Sequence, residues 1–225
     1  MKTSFTYLSI LSFSIFMFSC GGGESSNQAN DQTSDQMEKS DAQGSDEEMD
    51  ITGSYTLNSQ ESQLMWEGNM LKVGGVSLYG HNGTVDFIKG EVSFKKGDFT
   101  GGTLVVNMES ITPLDDNYGE ENPKEKLVGH LSSDDFFAVE EHPMATFEVL
   151  EGDESGVKGS MTIRGNTNDE TIENITIVEQ GDQLIVRGSM TVDRQQYNVA
   201  FEMPAEDKVL SDDLDLEFNL VLEKR

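Results

Sequence analysis

Cysteine is nearly missing from this chain. Its 225 residues include one, Cys20. Without a second thiol there is no intramolecular disulfide, so the fold has to be held by its core. Cationic residues are scarce too: 15 Lys and Arg stand against 42 Asp and Glu, for a formal net charge of -27. That excludes the clustered basic surface needed to bind nucleic acid or an anionic lipid surface. No apolar run is long enough for a comfortable membrane span; the longest, Tyr7 to Phe18, is too short. Catalytic signatures are also lacking. There is no Gly-x-Ser-x-Gly elbow, no His-Glu-x-x-His, no phosphate loop and no dinucleotide fingerprint. Nothing in the sequence points to an enzyme, and no catalytic residue is assigned.

The first fifty residues divide in two. Lys2, the apolar run and then Met17-Phe18-Ser19-Cys20 have the shape of a lipoprotein signal peptide over residues 1–19, with Cys20 as the lipid attachment point. The alternative is an ordinary secretory signal with an incidental Cys. Residues 20–52 begin with Gly21-Gly22-Gly23 and continue in Ser, Asn, Gln, Asp and Glu. So few apolar residues cannot offset the entropy of ordering, and like charges extend the chain. The expectation is a disordered acidic tether. It would hold a domain at 53–225 off a membrane, in an exported, membrane-anchored lipoprotein of the cell envelope, periplasm-facing or on the outer membrane.

The rest reads as all-β. Leu214, Leu216, Phe218, Leu220 and Leu222 alternate with Asp213, Asp215, Glu217, Asn219 and Val221. That is a strand with one buried and one wet face. Leu184, Val186, Gly188, Met190 and Val192 alternate in the same way, as do shorter runs around Leu104, Phe147 and Met161. Turn signals fall at Lys96-Gly97-Asp98, Glu151-Gly152-Asp153, Asn166 to Asp169 and Gln180-Gly181-Asp182. Two more hairpin turns are predicted, at Asn82-Gly83 and around Lys89-Gly90. Only Pro123 to Ser132 reads as helical. About eight antiparallel strands with one apolar face each close into a barrel or stack as a sandwich, and periodicity does not choose between them.

Few residues offer polar chemistry. The three histidines, His81, His130 and His142, have no metal-ligand spacing, so no metal is expected. The acidic segment Asp115 to Glu121 fails the calcium-loop spacing and reads as a solvated loop.

Four segments in order resemble a known family. They are Leu64-Met65-Trp66-Glu67-Gly68 with Gly80-His81-Asn82-Gly83-Thr84-Val85; His130-Leu131 through Asp135-Phe136-Phe137 to His142-Pro143 and Thr146-Phe147; Gly159-Ser160-Met161-Thr162-Ile163-Arg164-Gly165; and Val192-Asp193-Arg194-Gln195-Gln196-Tyr197. Together they are similar to the YceI-like family, envelope proteins often described as polyisoprenoid-binding, over roughly residues 54 to 222. Asp115 to Lys126 departs from the pattern, lacking the usual Arg-Asp before the His-Leu pair, and inherits no role.

The resemblance implies an extended, lipocalin-like antiparallel barrel of about eight strands with an apolar tunnel. Barrels of that size are either filled by side chains or hold one small ligand. The implied ligand is a polyisoprenoid, isoprenoid quinone or similar lipid, with no other cofactor, for carriage, storage or sensing. The lining candidates are Trp66, Phe87, Phe94, Leu104, Val106, Phe136, Phe137, Phe147, Met161, Ile163, Met190, Leu216 and Phe218, with Leu64 and Met108 also facing inward. His81, His130 and His142 are the polar candidates at the tunnel mouth. The alternative is a ligand-free structural or interaction module using its acidic surface, since any β domain needs such residues for its core. A homodimer through an exposed edge strand stays open.

Overall fold

The computed structural model describes residues 51–202 and 207–225. The signal peptide, Cys20 and nearly all of the tether expected at 20–52 lie outside the described residues. The elements are β1 (Gly53–Leu57), β2 (Gln63–Lys72), β3 (Val76–Lys95), β4 (Asp98–Pro113), α1 (Lys124–Ser132), β5 (Met144–Asp153), β6 (Gly156–Ile163), β7 (Asn166–Gln180), β8 (Gln183–Asp193), a 3-10 turn (Arg194–Tyr197) and β9 (Lys208–Lys224).

All strands belong to one antiparallel sheet in the order β3-β2-β9-β8-β7-β6-β5-β4, and β4 pairs back onto β3. The result is a closed barrel of eight strands. The extra strand, β1, pairs with β3 and β9 below β2 and so prolongs the same stave. Closure removes the edges that an open sheet would expose.

Alternation decides which face turns inward. In β8 the buried residues Leu184, Val186, Met190 and Val192 share one face with Gly188. In β9 Leu216, Leu220 and Leu222 are buried on the matching face. Two predicted turns form as two-residue loops that place a glycine in the left-handed region. Lys96-Gly97 has φ of 55° and 88°, and Gln180-Gly181-Asp182 joins β7 to β8.

Other turn readings move. Asn82-Gly83 lies inside β3, and its hairpin turns instead at Gly74-Gly75, with φ of 106° and 87°. Lys89-Gly90 also lies inside β3, which runs on past a register shift between Phe87 and Lys89. Gly152 is paired in β5, and the turn follows at Glu154-Ser155. Asn166 opens β7, after a turn at Arg164-Gly165. Gly83, Gly90 and Gly152 serve close approach rather than reversal. A Cβ on Gly90 would lie 2.7 Å from Leu104 Cδ2.

One end of the barrel is sealed. Phe94 meets Tyr55 edge-on at 5.5 Å between ring centroids and lies 4.7 Å from Phe99. At the other end α1 and the loop after it lie across the opening, with Leu131 and Phe136 buried.

Candidate ligand cavity

Eight strands leave more room than their side chains occupy. A cavity of about 300 Å³ runs inside the barrel, lined almost entirely by carbon. Register places Leu104, Phe147 and Met161 side by side on β4, β5 and β6, as a belt across the wall. The largest rings lie flat because strand glycines make room behind them. A Cβ on Gly83 would come within 2.6 Å of Trp66 Cζ2, one on Gly159 within 2.6 Å of Phe147 Cε1, and one on Gly188 within 2.6 Å of Phe218 Cζ. Each pair is an aromatic ring laid over a glycine of the neighbouring strand. This pairing keeps the rings against the wall and the interior open.

The wall takes in Trp66, Phe87, Leu104, Val106, Phe136, Phe137, Phe147, Met161, Ile163, Met190, Leu216 and Phe218. Leu64 and Met108 also line it. Phe94 does not, because it belongs to the seal with Tyr55 and Phe99. Of the histidines, His81 and His130 line the cavity. His142 instead packs on the β6–β7 turn, where a Cβ on Gly165 would lie 3.0 Å from its Cε1. Among the described residues no three His, Cys, Asp or Glu side chains gather as a metal site requires.

His130 sits in an aromatic cover, edge-on to Phe136 at 5.0 Å and to Phe201 at 4.5 Å. His81 is oriented by Asp115. A carboxylate only accepts, so the ring donates from Nδ1, at 3.1 Å to Oδ1 and 3.2 Å to Oδ2. Tyr118 stacks on the same ring at 5.2 Å. With Nδ1 engaged, Nε2 is the ring nitrogen left to a ligand.

The Asp115 side chain is only 7% exposed. Burial pushes its carboxyl up, but hydrogen bonds from the Asn117 N–H, the Tyr118 hydroxyl, His81 and the Asn82 N–H outweigh that and hold it below the ordinary carboxylate range. A depressed folded pKa contributes stability that is complete above the unfolded value and is lost as pH falls through the folded one. Asp115→Asn is therefore expected to destabilise the barrel at neutral pH. The gap to wild type should narrow as pH falls below 3.8, the ordinary value. Denaturant titrations across that range measure it, and a gap that stays constant into acid contradicts the assignment.

Sequence reasoning missed Arg194 as a site residue. It lines the cavity yet is 7% exposed. Its Nε–H donates to the Ser211 carbonyl at 2.9 Å, Nη1 to the Val199 carbonyl, and Nη2 to Asp212 Oδ1 at 2.8 Å. Its place in the Asp193-Arg194 motif was the available signal. Asp115 was also missed, in a loop read only as acidic and solvated. Ser211 and Asp213 complete the polar part of the lining beside Arg194. The cavity is thus a greasy sleeve, sealed at one end, with a few fixed polar groups toward the other. Such a site removes an apolar tail from water and reads a head by hydrogen bonds.

Residues 55–222 match the family model described as a YceI-like domain. Among curated proteins, a UPF0312 protein of Staphylococcus aureus (strain bovine RF122 / ET3-1) is 35% identical over 85 residues, 34% of this chain and 48% of its own length. Another, from Staphylococcus aureus (strain N315), is 32% identical over 119 residues, 49% of this chain and 66% of its own length. The chain thus spans between about half and two thirds of these relatives. Among solved structures, BcnA of Burkholderia cenocepacia superposes with a TM-score of 0.56 at 16% identity, over 73% of this chain and 98% of that one. A polyisoprenoid binding domain from Saccharophagus degradans, implicated in plant cell wall breakdown, gives 0.50 at 15% identity, over 76% and 98%. At these identities the likeness is one of fold.

Proposed function

Because the chain belongs to the YceI-like family, we propose that its barrel holds a long apolar amphiphile, a polyisoprenoid, isoprenoid quinone or similar lipid, for carriage, storage or sensing. The observation that carries this is the apolar cavity of about 300 Å³ kept open by glycine-backed rings. The polyisoprenoid binding domain of Saccharophagus degradans, similar in fold, supports the ligand class. Each methylene taken from water contributes about 0.8 kcal/mol. The cavity is at the lower end of ligand-site volumes, so a long tail runs on from the sleeve toward the mouth beneath Phe136, Phe137 and Phe201. His81, Arg194 and Asp213 are the groups that would read the head. The function proposed is binding rather than catalysis. The proposal includes a lipid anchor at Cys20 and a place in the cell envelope, on the strength of the apolar run and lone Cys near the N-terminus.

Leu104→Asp and Met161→Asp test the sleeve directly. Both put a carboxylate in the belt against the tail, where it is either desolvated or neutralised at a cost of several kcal/mol. Each variant that stays folded is expected to co-purify with no lipid. Unchanged lipid content in a folded variant contradicts the proposal.

A further inference from the structure

The hairpin of β2 and β3 rises beyond the barrel rim beside the cavity mouth and ends in an apolar tip. Val73 is 65% exposed and Val76 64%, and Leu78, Tyr79 and Val209 are exposed beside them. Exposed apolar side chains elsewhere, such as Met65, Ile88, Leu150 and Val178, fall on separate strands. Scattered residues of that kind need no explanation, but a cluster does.

Register defines what surrounds the tip. Leu210, Met70 and Tyr79 form one row across β9, β2 and β3, and all three line the cavity. The row nearest the turn is Lys208, Lys72 and Val76. Two lysines directly opposite each other repel, and none of the ion pairs among the described residues involves either one. Lys208 lies 5.9 Å from the Tyr79 ring, and Asp207 is the acidic neighbour in sequence. In a chain of net charge -27 two adjacent lysines beside an apolar tip are the exception. Phospholipid supplies what both lack: phosphates for the lysines and acyl chains for the valines.

We propose that the β2–β3 tip is a membrane-docking element, with Val73, Val76, Leu78 and Val209 entering the interface of a phospholipid bilayer and Lys72 and Lys208 meeting its phosphates. Docked this way, the barrel opens toward the bilayer through Met70, Tyr79 and Leu210, so an apolar ligand passes between membrane and cavity without crossing water. This purpose rests on the ligand reading; the docking itself does not. The overall acidity of the surface opposes close approach to an anionic bilayer, so the fitting probe is a zwitterionic one.

The test uses residues 21–225, which contain every described strand, the helix and the whole core. Flotation with phosphatidylcholine vesicles is expected to carry the wild type. Val73→Asp with Val76→Asp should lower the bound fraction by about tenfold or more. These side chains are exposed, so circular dichroism and thermal melting should match wild type. Lys72→Glu with Lys208→Glu should weaken binding by a few fold, less than the aspartate pair, because phosphatidylcholine carries no net charge and the lysines meet its phosphates only at contact. In parallel, lipid is loaded from detergent and extracted. A chain that holds lipid but does not float overturns the docking and spares the ligand reading; one that floats but never holds lipid does the reverse. The docking is also overturned if the aspartate variant floats like wild type. It is overturned as well if the tip instead joins two copies of the chain, seen as a dimer in sedimentation that the same variant dissociates, without vesicle binding.

Discussion

Ala145→Phe is expected to empty the barrel of lipid while leaving it folded. Ala145 is buried in the cavity wall on β5, two residues before Phe147 and opposite Val106 of β4. In a filled core a benzyl group added there would force its neighbours apart at about 1–3 kcal/mol. In a hollow one it enters free space and leaves stability unchanged or slightly higher. The ligand then loses room for about three methylenes, about 2.4 kcal/mol, or on the order of fiftyfold in affinity. Titration with a fluorescent apolar probe gives the affinity, and a denaturant curve on the same sample gives stability. A destabilised variant means the cavity is filled in solution. A stable variant with full affinity means that the ligand binds elsewhere.

The second large effect is expected at Arg194. Arg194→Leu should destabilise the protein by about 3 kcal/mol. The guanidinium joins the 3-10 turn after β8 to the Val199 carbonyl and to Ser211 and Asp212 in β9. Burial draws its pKa down while Asp212, Asp193 and Glu202 act against that, and the net direction is downward. An arginine nonetheless stays protonated in proteins. Leucine leaves two carbonyls without a donor, each costing about 1–3 kcal/mol where water does not reach them. The Asp212 side chain is 58% exposed, so its carboxylate falls back on solvent and adds little. Lysine should not rescue, since one ammonium cannot reach three divergent acceptors as the planar fork does. The shift in denaturant midpoint measures the cost. A loss under about 1 kcal/mol would mean that water replaces the guanidinium easily.

Strand content and facing were legible in the sequence where one face is wet. β9 shows its burial as alternation around Leu216, with Asp215 and Glu217 outward, whereas Val221, read on the wet face, is buried as well as Leu220 and Leu222. The helix was legible from Pro123 and the spacing of Leu127 and Leu131, and it occupies Lys124–Ser132. The glycines misled. Gly83 and Gly90 carry the same local mark as a turn glycine, but the side chains they make room for, Trp66 and Leu104, lie on other strands, and Gly152 makes room for Val157 across the next turn. Only pairing register shows that the missing Cβ makes room for a neighbour.

Barrel closure was legible only through the four family-like segments, because alternation is the same in a sandwich. Whether the interior is hollow depends on where rings lie, and a list of apolar residues does not say. The polar groups were legible only in part. His81 and His130 were read at the mouth and line the cavity, but Asp115 looked like a solvated loop residue, and nothing local ties it to His81 across 34 positions of sequence. Arg194 stood in the family-like Asp193-Arg194 segment, but that segment alone does not show that the side chain turns inward. His142 and Phe94 share the residue types of a mouth and a lining, but the β6–β7 turn and the Tyr55–Phe99 seal hold them away from the cavity.

The most direct test of the central claim, that the cavity holds an apolar amphiphile, is native mass spectrometry with organic extraction on residues 21–225 after incubation with total envelope lipids. The account predicts one lipid per chain, isoprenoid in character, released by organic solvent and missing from Ala145→Phe. A clean ligand-free mass from protein that is folded by circular dichroism would contradict it.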